Sequence, residues 1–168
     1  MKLLKTIYHE ENINLQGRTI LREAVRGIIF QEGNLLMVYS SVNGDYKFPG
    51  GGIDAGESHH EALSREIREE CGAEMKQIIG ELGKMISYAH ALEEDFDTFK
   101  MTSYYYFCKI QGELGALALD DYEKDLGFHP KWVDVKTALE TNKKVLAESN
   151  PALWWVGREI FVLERLLS

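Results

Sequence analysis

The sequence is short of cysteine, proline, long apolar runs and positive charge, and each shortage excludes something. Its two cysteines, Cys71 and Cys108, lie far apart and form neither a disulfide framework nor a zinc-ligand pattern. Both read as reduced structural thiols, the usage of a cytoplasmic protein. The three prolines, Pro49, Pro130 and Pro151, punctuate the chain without making a tract, so no proline-rich linker is expected. No stretch approaches the ~18 consecutive apolar residues of a membrane helix. The opening MKLLKTIYHEENINL lacks the apolar core and cleavage site of a secretion signal. No membrane partner is expected. Lys and Arg number 19 against 27 Asp and Glu, a formal charge of −8. Displacing counterions from a nucleic-acid polymer needs the opposite balance, so no such polymer is expected as a partner. A small anionic ligand stays open if a metal ion supplies the missing positive charge.

The 168 residues are 45% hydrophobic and 11% aromatic, enough for the core of one domain and too much for a disordered tail. The chain reads as a single domain, 1–168, with residues 1–21 and a C-terminal helix over 151–168 as appendages. Arg22–Phe30 is rich in β-branched and apolar residues and predicts a strand. Glu32-Gly33-Asn34 is a turn, and Leu35–Tyr39 a second strand closing a hairpin. After a turn at Asn43-Gly44-Asp45 comes a short extended piece, Tyr46–Phe48. Ser58 with Glu61 makes a capping box, so a helix is expected from Ser58 to Glu70, ended by Gly72. Met75–Tyr88 predicts one strand or two, interrupted at Gly80 or Gly83, and Phe99–Ile110 a strong strand. Lys131–Val135 predicts a short strand and Lys136–Ala147 a helix. Asn150 would cap a last helix with Pro151 in its first turn. Strands and helices do not alternate cleanly. The class expected is therefore α/β of the α+β kind, a mixed β-sheet with helices on its faces.

The chemistry concentrates in residues 50–73, GGGIDAGESHHEALSREIREECGA. Leu63 and Ile67 share one side of the helix and can pack on a sheet. Glu66, Glu69 and Glu70, spaced i, i+3, i+4, gather on an adjoining face, where like charges repel. Arg65 and Arg68 could compensate in a solvated salt-bridged face. A hard divalent cation, which takes carboxylate and phosphate oxygens, is the other reading, and the glycine loop would let the backbone turn a carbonyl toward it.

Gly51, Glu57, Arg65, Glu66, Ile67, Glu69, Glu70, Gly72 and Ala73 stand in the pattern G-x5-E-x7-R-E-U-x-E-E-x-G-U, which resembles the Nudix box. All seven fixed positions match, and only Ala73 is small for its apolar place. At ~7% per fixed residue, chance agreement at one position is on the order of one in 10⁸. The box covers 51–73, and the wider resemblance runs from about Arg22 to about Leu139. It implies a Nudix hydrolase: an α/β/α sandwich, with a glutamate-rich loop-helix-loop site, cleaving nucleoside diphosphates linked to another moiety with Mg²⁺ or Mn²⁺. By the resemblance, Glu66, Glu69, Glu70 and the Gly50 carbonyl are metal ligands. Arg65 holds the glutamates, Glu57 binds the arginine or a water, and Gly72 turns the chain away. Glu66 is the first choice of general base. The acids of Glu93–Asp97 and of Asp120–Glu123 are alternatives, with Glu123 foremost among them.

The box reports the reaction and not the leaving group. Absence of other subfamily marks leaves a nucleoside triphosphate, oxidised ones included, ahead, cleaved to monophosphate and pyrophosphate. ADP-ribose, nucleotide sugars and dinucleoside polyphosphates remain alternatives, as does a non-catalytic nucleotide sensor. His59 and His60 read as surface residues. Tyr104, Tyr105 and Tyr106 alternate faces of a strand, and sheet packing is the plainer use for each. Adjacent Trp154 and Trp155 cannot both face one core stripe, which makes a homodimer contact one arrangement for them.

Overall fold

The computed structural model describes residues 1–148 and 153–168. In chain order the strands are β1 (Leu3–Tyr8), β2 (Thr19–Ile28), β3 (Phe30–Gln31), β4 (Asn34–Ser40), β5 (Tyr46–Lys47), β6 (Glu74–His90), β7 (Thr98–Gln111) and β8 (Phe128–Val133). The helices are α1 (His59–Cys71), α2 (Asp121–Asp125), α3 (Val135–Ala147) and α4 (Val156–Leu167). One sheet runs β1-β6-β7-β2, and the other β3-β4-β5 with β8 also on β4. β1 pairs parallel with β6 and β2 parallel with β7, while β6 and β7 are antiparallel. The first sheet is mixed, as expected, and the second is wholly antiparallel.

Strand alternation explains why both faces are buried. Along β4, Leu35 and Met37 enter one core, and Leu36 and Val38 enter the other. The first core lies under α3 and α4, with Tyr105, Phe48, Val156 and Leu163. The second lies under α1, with Leu63, Ile67 and Cys71. Helix, sheet, helix is the layer order that results. Cys71 and Cys108 are both buried and unbonded. Among the described residues no helix is long and apolar enough to cross a membrane.

Several expectations need correction. The weakly patterned N-terminus forms the edge strand β1, because its backbone pairs with β6, about eighty positions away. The hairpin is smaller than expected. Only Phe30 and Gln31 ladder with β4, and β2 crosses to the other sheet. Met75–Tyr88, expected as one strand or two, is one longer strand of 17 residues, and the interruption expected at Gly80 or Gly83 is a register shift between Ile78 and Gly80 and another between Glu81 and Gly83. β8 begins three residues early, at Phe128, and tolerates Pro130 because it pairs with β4 alone. The acidic run at 120–123 is no open loop: it starts the short helix α2. The expected cap at Asn150 and Pro151 lies outside the described residues, and α4 starts at Val156.

Candidate active site

Local sequence sets α1. The Ser58 hydroxyl accepts from the Glu61 amide, the Glu61 carboxylate accepts from the Ser58 amide, and Gly72 closes the helix in the left-handed region at φ 64°. These ends fix the face carrying Glu66, Glu69 and Glu70 toward the loop before the helix. In that loop Gly50 has φ 139°, and a Cβ there would run into the Val25 carbonyl. At Gly51 a Cβ would meet the Glu66 carboxylate. Only glycine lets the loop lie this close to the acids.

Arg65 gathers the acids. Its Nε and Nη2 donate to the two oxygens of Glu57 at 2.9 Å each, and Nη2 also donates to the Gly52 carbonyl at 2.9 Å. Nη1 donates to Glu66 at 2.7 Å and to Glu69 at 3.3 Å. All five N–H groups of the guanidinium are engaged. The fork beside Glu57 holds its carboxyl down at about 2. Glu66 behaves oppositely: burial and the nearby Glu70 charge push it up to about 7, in spite of Arg65.

Glu70 is buried. It accepts from the Gly50 amide at 2.7 Å and from Lys47 Nζ at 2.5 Å. Lys47 lies 3.9 Å from Glu123, which is also buried and accepts from the Tyr122 hydroxyl at 3.1 Å and the Asp120 amide at 2.9 Å. The fold therefore brings Glu123 to the box, across Lys47. The other acidic loop stays away: Glu93, Glu94, Asp95 and Asp97 are exposed, and Asp97 instead accepts from the Arg18 amide at 2.7 Å. His60 is exposed, whereas His59 bonds Tyr106 Oη at 2.6 Å through Nδ1 and packs on Tyr104.

The proposed ligands suit a hard cation in kind, since all are oxygens. Glu66 and Glu70 are buried carboxylates that repel each other, and a divalent ion would relieve that. Each donor is now matched to a protein cation: Glu66 and Glu69 to Arg65, Glu70 to Lys47, and the Gly50 carbonyl to Arg26 Nη1. Among the described residues no three His, Cys, Asp or Glu side chains close into a cage.

A cavity of about 320 Å³ opens against the glycine loop. Its lining includes Arg22, Arg26, Lys47 and Arg158 and no carboxylate, with aromatic walls from Phe99, Tyr122, Phe128, Trp154 and Trp155. In a chain of charge −8 this is a local reversal of sign. A wider trough of about 930 Å³ beyond Arg22 and Gly52 mixes Lys84 and Lys100 with Glu23, Asp54 and Glu57. The smaller cavity is the one suited to an anion. Sequence reasoning missed its cations. The signal for two of them was present: Arg22, Ala24 and Arg26 alternate along β2 and share one face. Lys47 and Arg158 had no comparable local mark.

The NUDIX domain family model matches residues 20–153. An RNA pyrophosphohydrolase of Nitratiruptor sp. is 49% identical over 49 residues, 29% of this chain and 32% of that protein. The chain thus spans about a third of the length of such curated relatives. A NUDIX hydrolase of Nitrosomonas europaea superimposes at a TM-score of 0.55 and 18% identity, over 83% of this chain and 88% of that one. A MutT protein of Bacillus halodurans gives 0.53 at 20% identity, over 71% and 72%. At these identities the two structures speak for the fold alone. With four fifths of its length matched and the box intact on α1, the chain belongs to the NUDIX domain family.

Proposed function

We propose that the chain is a divalent-metal-dependent pyrophosphohydrolase that cleaves a nucleoside triphosphate to monophosphate and pyrophosphate. The observation that carries this reading is the Arg65-held carboxylate set packed against glycine loop 50–52, the same loop that lines a cavity with four cations and no acid. Glu66, Glu69, Glu70 and the Gly50 carbonyl would hold Mg²⁺ or Mn²⁺, with Lys47 and Arg26 giving up their present partners. The metal, when bound, neutralises phosphate oxygens and lowers the pKa of a coordinated water. Lys47, Arg26 and Arg22 attract and orient the phosphate chain. Glu66, a carboxylate of this set, is the first choice to accept a proton from attacking water. Glu123, beside Lys47, is the alternative acceptor. Arg65 and Glu57 position the acids and do not touch substrate.

A second reading has one specific support. The relatives matched over 49 residues are RNA pyrophosphohydrolases, and a triphosphate at the 5′ end of an RNA presents the same anhydride bonds as a free nucleotide. ADP-ribose, nucleotide sugars, dinucleoside polyphosphates and a sensor role have no such observation behind them. The test is product analysis with Mg²⁺ on free nucleoside triphosphates, oxidised ones included, and on a 5′-triphosphorylated RNA oligonucleotide. Glu70→Gln serves as control. Pyrophosphate release from free nucleotides, reduced by about a thousandfold in the variant, is expected, beyond the roughly 10–100-fold cost of losing an outer partner. Release from the RNA alone would favour the second reading. Equal turnover by Glu70→Gln would overturn both.

A further inference from the structure

The wall of the cavity farthest along the chain comes from Trp154, Trp155 and Arg158, which lie beyond residue 153, where the family match ends. We propose that this wall reads the base of the nucleotide and prefers a 6-oxopurine, guanine or hypoxanthine, over adenine. The inference rests on the nucleotide reading above and sharpens it.

Arg158 is 2% exposed and lines the cavity. Its Nε and Nη2 donate to one oxygen of Glu159, at 3.0 and 2.6 Å. Glu159 is fully buried, and its other oxygen accepts from the Phe48 amide at 3.1 Å. This clasp takes the side-on fork of the guanidinium and stops it from swinging. What remains is the end-on pair of N–H groups on Nη1 and Nη2, parallel and in one plane. Their protein contacts are long: Nη1 reaches Ser103 Oγ at 3.4 Å and Met101 Sδ at 3.9 Å, and the buried Tyr105 hydroxyl, which has no hydrogen-bond partner of its own, lies close by. Arg26, which lines the same cavity, has its Nε buried with no acceptor. Buried donors without acceptors are costly, and a ligand that supplied acceptors would relieve the cost.

The Arg158 guanidinium carbon lies over the Trp154 ring, 5.7 Å from its centroid and so toward the ring margin, leaving the rest of that face beside the fork. The His9 ring meets Trp154 edge-on at 5.0 Å, and the neighbouring Trp155 is anchored by its indole N–H on Asp45 at 2.8 Å. An aromatic plate beside a fixed pair of donors fits a base that stacks on one and offers two adjacent acceptors to the other. Guanine and hypoxanthine offer O6 and N7 on one edge. Adenine sets an amino donor beside N7, so a donor would face a cation. No carboxylate lines the cavity to accept that amino group.

The test is calorimetric titration of the full chain, without metal, with GMP, IMP, AMP and CMP. None of these has an anhydride bond, so the result does not depend on hydrolysis. GMP and IMP should bind about tenfold more tightly than AMP. Trp154→Ala removes a side chain already 37% exposed and should weaken GMP and IMP about tenfold. Arg158→Lys keeps the charge but loses the fork, and should bring the GMP-to-AMP ratio close to one. If that variant does not fold, the wild-type series and Trp154→Ala still decide. Equal affinities for GMP and AMP, or full GMP affinity in Trp154→Ala, would overturn the inference. Base preference without any hydrolysis would overturn the enzymatic reading instead.

Discussion

Arg65 and Arg158 both hold glutamate, and they differ in what they leave over. Arg65 gives all five N–H groups to Glu57, Glu66, Glu69 and the Gly52 carbonyl. Arg158 gives its side-on fork to Glu159, and the rest of its guanidinium has only long contacts to Ser103 and Met101 and the nearby Tyr105 hydroxyl. The charges differ in the opposite sense. One cation serves three carboxylates at Arg65, which leaves that side short of positive charge. At Arg158 one cation meets one carboxylate. On the function proposed above, a saturated guanidinium amid surplus acid positions ligands for a cation. An unsaturated guanidinium amid matched charge is equipped to receive acceptors.

The charge shortage at Arg65 gives the largest expected effect. Glu66 is pushed up from 4.5 to about 7 by burial and by Glu70. Its folded-state pKa is raised, so its neutral form is the one the fold favours. The stability it contributes is fully present below about 4.5 and is lost as pH rises through about 7, on the order of 3 kcal/mol in all. In EDTA, thermal melts of the wild type relative to Glu66→Gln should therefore show a relative loss between pH 5 and pH 8. Millimolar Mg²⁺ at pH 8 should restore much of it, because an ion bound to the native state stabilises it. A wild-type-minus-variant difference that does not change with pH would show that Arg65 already neutralises the site, and the contrast with Arg158 would fail.

Saturation gives the next effect. Lysine cannot reproduce a planar fork with five donors. Arg65→Lys should lose about 10–100-fold in turnover, the usual cost of an outer partner of metal ligands. Its metal requirement should shift to higher Mg²⁺ concentration. Turnover within twofold of wild type, measured at saturating substrate over a range of Mg²⁺, would mean that three carboxylates orient themselves without the fork.

The same two arginines mark how far the sequence could be read. Everything around Arg65 is local. The Ser58–Glu61 capping box, the i, i+3, i+4 acids and Gly72 all fall within 15 positions, so propensity and spacing locate them, and the helix ends match to one residue. Around Arg158 everything is tertiary. Its hydrogen-bond network reaches Ser103 and, through Glu159, the Phe48 amide, its aromatic neighbour is steadied by His9, and no periodicity in α4 announces a polar pair inside an apolar stripe. The edge strand β1 was hidden for the same reason, since parallel pairing with β6 leaves no hairpin signal. Glu123 stands between these cases. It was singled out by resemblance, but its meeting with Glu70 depends on Lys47, which no local pattern marked.

The smallest effect concerns the helices that carry the two arginines. α1 begins on a complete capping box, with Ser58 Oγ accepting from the Glu61 amide at 3.2 Å and Glu61 accepting from the Ser58 amide at 2.8 Å. α4 follows Trp155, which provides no side-chain cap, and depends on burial of Val156, Ile160 and Leu163. Ser58→Ala should then cost about 1 kcal/mol of global stability by denaturant titration, because α1 relies on its own end. A loss below about 0.3 kcal/mol would put α1 in the same position as α4, held by its packed face alone. The difference between a locally specified helix and a tertiary one would then lie in how each can be read, and not in how each is stabilised.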